Sequence, residues 1–159
     1  MQYLCKMSST IKNQADILQK LGIEALNPMQ LEAEKALAKG GDVILLSPTG
    51  TGKTLAFLLP LVAQLKTLAT EVQMLIVVPS RELALQIEQV VREMGSGFKA
   101  NAVYGGRAFG QDKLDLKHPP AILIGTPGRL ADHLRRGTFD TSELNTLVLD
   151  EFDKSLEIG

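Results

Sequence analysis

Ser47-Pro48-Thr49-Gly50-Thr51-Gly52-Lys53-Thr54 stands between two apolar runs, Val43-Ile44-Leu45-Leu46 before it and Leu55-Ala56-Phe57-Leu58-Leu59 after it. That order predicts a strand, a glycine turn and a helix start, the build of a nucleotide phosphate site. Glycines let backbone N–H groups converge on phosphate oxygens, and the helix N-terminus adds positive potential. Thr49, Gly50, Thr51 and Gly52 would line the cradle, Lys53 would supply a charge for the outer phosphates, and Thr54 would offer a hydroxyl to Mg²⁺. The strict pattern wants glycine where Ser47 stands, so the reading rests on Gly52-Lys53-Thr54 at a strand-to-helix junction.

A second feature decides the kind of phosphate site. Leu147-Val148-Leu149 predicts a short apolar strand ending in Asp150-Glu151-Phe152-Asp153. Carboxylates there suit two jobs: holding Mg²⁺ through its waters, and polarising a water for attack on a terminal phosphate. Asp150 is the expected metal-side residue, with Thr54, and Glu151 the expected water activator. An acidic run alone reads as a solvated turn; Gly-Lys-Thr upstream reverses that preference. Lys53, Asp150 and Glu151 are therefore the candidate catalytic residues.

At 159 residues and 45% hydrophobic the chain can bury one core, so one domain is expected. With 17 Lys+Arg against 18 Asp+Glu there is no global basic field, and any nucleic-acid binding must come from a local patch. His118 and His133 lack Cys or carboxylate at ligand spacing, which argues against a zinc site. No apolar run reaches membrane-spanning length and the N-terminus has no signal-peptide core, so a cytoplasmic location without membrane partners is expected. The single Cys5 agrees with a reducing compartment, and residues 1–9 are expected to be disordered.

Five strand candidates recur: Val43 to Leu46, Met74 to Val78, Asn101 to Tyr104, Ala121 to Ile124, and Leu147 to Leu149. Helical patterns separate most of them, which implies parallel pairing and right-handed crossovers in a doubly wound α/β sheet. Four of the five read as continuous apolar runs, as strands covered on both faces do. The helix candidates are Thr10 to Leu21, Pro28 to Ala38 capped by Asn27, Gly52 to about Ala69, Arg81 to Met94, and Pro127 to Arg136. Pro60 should kink the third, and residues 105–120 read as a loop with one short helix.

Ligands of open parallel sheets bind beyond the carboxyl ends of the strands. The segments just past the five strands are therefore an inventory of function: Thr49 to Thr54, Pro79-Ser80-Arg81-Glu82, Gly105-Gly106-Arg107, Thr126-Pro127-Gly128-Arg129, and Asp150-Glu151. Ser80 and Thr126 can cap helices whose first turns each carry an arginine. Each such start is either a phosphate cradle or a capped helix with a solvated guanidinium. A nucleotide needs only one cradle; two more suggest a nucleic-acid strand gripped by its backbone without base reading.

In their combination these residues resemble the first RecA-like domain of the DEAD-box RNA helicases. The motifs Ser47 to Thr54, Pro79 to Ala84, Gly105-Gly106, Thr126 to Arg129 and Asp150 to Asp153 occur in that family's order, over residues 10–159. Gly22 to Gln30 looks like its adenine-sensing segment, with Gln30 as the glutamine. Departures are Phe152 for an alanine, Leu26 and Asn27 for Pro and Thr, Asn13 for an adenine-stacking aromatic, and Ser80 for a threonine. The resemblance implies a RecA-like P-loop fold, ATP and Mg²⁺ as cofactors, and RNA as a partner held by its sugar-phosphate backbone. Pro79, Arg81, Gly105, Gly106, Thr126, Pro127, Gly128 and Arg129 would meet the RNA. The chain stops at Gly159, before the family's Ser-Ala-Thr segment and second RecA-like lobe. The resemblance thus implies a monomeric lobe that binds nucleotide weakly and is nearly inactive by itself. Two other readings stay open: a P-loop ATPase of a neighbouring family, and a scaffolding domain that kept the fold and lost the chemistry.

Overall fold

The computed structural model describes residues 13–151 and 153. The N-terminal stretch 1–9 with Cys5, the helix start expected at Thr10, and Phe152 lie outside them. Helices α1 (Gln14–Lys20), α2 (Pro28–Ala38) and α3 (Lys53–Val62) precede strand β1 (Met74–Val77). Next come α4 (Arg81–Met94), β2 (Ala100–Val103), α5 (Phe109–Asp115), β3 (Ile122–Gly125), α6 (Pro127–Arg135) and β4 (Thr146–Leu149). The strands are all parallel in the order β2-β3-β1-β4. This is the doubly wound α/β sheet that the strand-helix alternation predicts.

Side-chain alternation along the strands builds two cores. Met74, Ile76, Ala102, Ile122 and Ile124 face one layer with Leu58, Ile87, Val91 and Ile17 from α3, α4 and α1. Leu75, Val103 and Leu123 face the other with Leu116, Leu130 and Phe139. Close strand approach also selects Gly125: a Cβ there would lie 2.7 Å from the Val103 carbonyl oxygen and 2.8 Å from Leu130 Cγ. On the outer edge of β2, Glu88 accepts the Ala102 N–H at 3.2 Å, occupying a group that another chain could otherwise pair with.

Several local expectations are corrected. The run 43–46 forms no strand and belongs to no sheet among the described residues, and Ile44 and Leu46 are each 88% exposed. β propensity cannot make a strand without a neighbour to bond, and β4 and β2 form the edges here. β4 is likewise not covered on both faces, since Leu147 and Leu149 remain 60% and 47% exposed. Among the described residues the first helix starts at Gln14, after Asn13, which is extended and whose side chain accepts the Asp16 N–H at 2.9 Å. The third stops at Val62, well before Ala69. Past Pro60 the chain tightens into i→i+3 bonds, and the Gln73 side chain then takes both the Lys66 N–H (2.7 Å) and its carbonyl (3.0 Å). Thr126 occupies the N-cap of α6 but its hydroxyl makes no capping bond.

The two-layer core fixes where truncation should hurt. Ile124→Ala, at a fully buried position, is expected to cost about 2–5 kcal/mol, whereas Leu68→Ala, 93% exposed, should stay within about 0.5 kcal/mol. Urea unfolding of both variants measures the difference; equal effects would contradict the core placement.

Candidate functional site

The phosphate loop is shaped by its own hydroxyls and by α2. Gly50 and Gly52 adopt φ of +80° and +86°, a backbone that turns successive N–H groups inward. Thr51 Oγ1 donates to the Pro48 carbonyl at 2.8 Å and lies 2.6 Å from Ser47 Oγ. Ser47, the departure from the strict glycine pattern, thus braces the loop. Gly52 caps α3 without any side-chain bond, which leaves the first-turn N–H donors for an anion. Lys53 Nζ donates to the Ser47 carbonyl at 2.8 Å, and an ammonium has two further donors.

Asn27 and Gln30 close a capping box at the start of α2: Gln30 N–H donates to Asn27 Oδ1 at 2.9 Å and Asn27 N–H to Gln30 Oε1 at 3.0 Å. The same two amides grip the phosphate loop. Gln30 Nε2 donates to the Gly52 carbonyl at 3.2 Å, and Asn27 Nδ2 to the Thr51 carbonyl at 3.0 Å. A Cβ on Gly52 would stand 2.7 Å from Gln30 Nε2, so this contact as well as φ demands glycine. Gln30, expected only as an adenine reader, is buried and tied to the loop it would report to. The loop-bracing role of Asn27 had a sequence signal only in its cap pattern.

The acidic turn leaves β4 beside β1, with the Asp150 N–H on the Val77 carbonyl at 3.0 Å. Glu151 has φ of +50°, alone among the described non-glycine residues, and its N–H donates to Asp150 Oδ1 at 3.0 Å. Such backbone costs on the order of 1–3 kcal/mol and is held where a site fixes a side chain's direction. No residue pattern announced it.

The three remaining segments are joined to one another. Ser80 Oγ caps α4 by accepting the Leu83 N–H at 3.2 Å, and the exposed Arg81 lies 5.0 Å above the Tyr104 ring at the end of β2. Gly105 and Gly106 are exposed, as are Pro127 and Gly128, while Pro79 is half-buried. Arg129 is only 11% exposed and is not a solvated cap residue: its Nε donates to Asp112 Oδ2 at 2.7 Å and its Nη2 to the Arg107 carbonyl at 2.8 Å. The Thr126 N–H reaches the Val103 carbonyl at 3.2 Å.

Asp112, which sequence reasoning passed over, anchors this corner from complete burial. Beside Arg129 it holds Arg107 Nη1 at 3.2 Å and His133 Nε2 at 3.2 Å. His133 is fully buried, stacks on Phe109 with ring centroids 4.5 Å apart, and places Nδ1 2.7 Å from Thr138 Oγ1. Burial works against the Arg107 charge, but the hydrogen bond and charge of Asp115, with Asp112 nearby, outweigh it and raise its pKa. In turn the Arg107 hydrogen bond, against a smaller effect of burial, lowers the Asp115 carboxyl.

Comparison with known proteins agrees with this geometry. The chain is 42% identical over 147 residues to the ATP-dependent RNA helicase DeaD of Escherichia coli (strain K12), covering 91% of this chain and 23% of that protein. It is 40% identical to the ATP-dependent RNA helicase DbpA of the same organism, covering 89% of this chain and 32% of that one. The chain therefore spans about a quarter to a third of these relatives' length. Among solved structures, the yeast DEAD-box splicing factor Prp28 superposes with a TM-score of 0.80 at 28% identity, covering 90% of this chain and 36% of that one. A hypothetical ATP-dependent RNA helicase from Sulfolobus tokodaii gives 0.81 at 27%, covering 92% and 43%. With the DEAD/DEAH box helicase family model matching residues 27–159, the chain belongs to that family, and its fold is the family's RecA-like domain.

Proposed function

We propose that this chain is the ATP-binding lobe of an ATP-dependent RNA helicase, coupling nucleotide binding and hydrolysis to the separation or remodelling of RNA. One observation carries the reading: the phosphate loop at the start of α3, the turns after β1, β2 and β3, and the strained acidic turn after β4 are all present and locally ordered by bonds of their own. The names of DeaD and DbpA supply the nucleotide and the polymer.

In this reading the uncapped α3 N-terminus, the inward N–H groups around Gly50 and Gly52, and Lys53 hold the phosphates, while Gln30 reads the adenine from a side chain already bonded to the loop. The donor set fits a nucleotide-bound Mg²⁺, with the Thr54 hydroxyl and the Asp150 carboxylate as its holders. When bound, the metal supplies neutralisation of charge between the phosphates. Glu151 orients the attacking water from a strained turn, with φ of +50°. Arg81, exposed at an N-cap, and the backbone of the Gly105-Gly106 and Thr126-Pro127-Gly128 segments meet the RNA sugar-phosphate chain without reading bases.

Lys53→Ala should weaken ADP binding about 10- to 100-fold, the range of a lost charged hydrogen bond, while leaving thermal unfolding nearly unchanged. Calorimetric titration decides, and equal affinities would remove Lys53 from the site. In the full-length protein Glu151→Gln should bind ATP and RNA like wild type yet lose most turnover; steady ATP hydrolysis by that variant would exclude the water-orienting role. Arg81→Ala should weaken single-stranded RNA binding equally across sequences and lower the slope of log affinity against log salt by about 0.7, one phosphate contact. An unchanged slope would return Arg81 to a solvated cap residue.

A further inference from the structure

Asp112 is fully buried and meets two arginines and a histidine drawn from two separate segments. Arg107 comes from the loop after β2, Arg129 and His133 from α6 after β3. Arg129 then reaches past Asp112 to the Arg107 carbonyl at 2.8 Å, so its planar fork clasps the β2 loop and the α6 start together. Phe109 fills the remaining side, stacked on His133 and lying 4.9 Å from the Arg129 guanidinium and 4.4 Å from that of Arg136. The Arg129 guanidinium is thereby occupied on two edges and one face, which is poor geometry for a backbone phosphate arriving from solvent.

We infer that Asp112 is a positioning residue that locks the Gly105-Gly106-Arg107 loop to the start of α6 and makes Arg129 a brace instead of a phosphate ligand. The RNA backbone then meets one preassembled surface spanning both segments, with no ordering left to pay for on binding. This rests on the RNA reading given above, and deepens it by dividing its two arginines: Arg81 contacts the polymer and Arg129 holds the surface that does.

The test uses the full-length protein and needs no RNA for its first arm. Asp112→Asn keeps the side-chain volume but loses the charge that holds Arg107 and Arg129. It should speed amide hydrogen exchange together at residues 105–108 and at 128–129, while ADP affinity at the phosphate loop stays at the wild-type value. In the second arm, affinity for a fluorescent uridine decamer should fall about three- to tenfold, the cost of reordering a side chain or two. Pure electrostatics predicts the opposite sign, because removing a negative charge beside a polyanion strengthens binding. Arg129→Lys keeps the charge but loses the fork, so it should match Arg129→Ala in both arms with the salt slope unchanged. Faster exchange in only one segment, tighter RNA binding by Asp112→Asn, or wild-type affinity in Arg129→Lys with a flattened slope in Arg129→Ala would each overturn the inference. A wild-type protein that holds no RNA would instead refute the RNA reading, and the exchange arm would still decide whether Asp112 couples the two segments.

Discussion

Parallel pairing of β1 with β3 on one side and β4 on the other is the constraint on which the rest of the site depends. Parallel strands all end in the same direction, so each crossover must return along a helix and the turns after β1, β2, β3 and β4 emerge at one edge, while the phosphate loop is held by Asn27 and Gln30 of α2. The fully buried Met74, Ile76, Ile122 and Ile124 make that pairing costly to shift, since a one-residue slip would turn the set that faces α3 and α4 into the opposite core, which Leu75 and Leu123 fill. The Asp150 N–H bonded to Val77, and the Val78 N–H bonded to Gly125, continue the same ladder into the turns after β4 and β1.

Beyond the sheet, position is set by side chains acting on backbone carbonyls. Asn27 and Gln30 hold Thr51 and Gly52; Lys53 and Thr51 hold Ser47 and Pro48; Arg129 holds Arg107. A carbonyl has no side chain to choose, so such contacts fix loop shape and leave the outward N–H groups for ligand. The same device therefore serves the nucleotide loop and the turns after β2 and β3.

The buried charges obey a different logic from the exposed ones. Arg135 and Asp132 pair at 2.6 Å on the surface, where solvent and salt screen most of the gain. Asp112 lies out of water, so losing a partner would strand a charge, and its contacts with Arg107, Arg129 and His133 tie separate segments at that cost. This difference makes the corner around α5 and α6 stiff without a large apolar area.

The sequence by itself determined the sheet class, four of its strands and the left-handed glycines of the loop before α3, because periodicity, glycine placement and helix caps are local and leave their mark in adjacent residues. Asn27 was legible as a cap, and Ser80 as another. Only the tertiary structure decided that Val43–Leu46 forms no ladder, since an apolar run carries no record of its neighbour. Nor could spacing reveal that Ser47 braces its loop, that Glu151 takes a left-handed backbone, or that Asp112, Arg129 and His133 converge. Those depend on atoms brought together by chain crossings, where burial turns an ordinary aspartate into the fixed point of two loops.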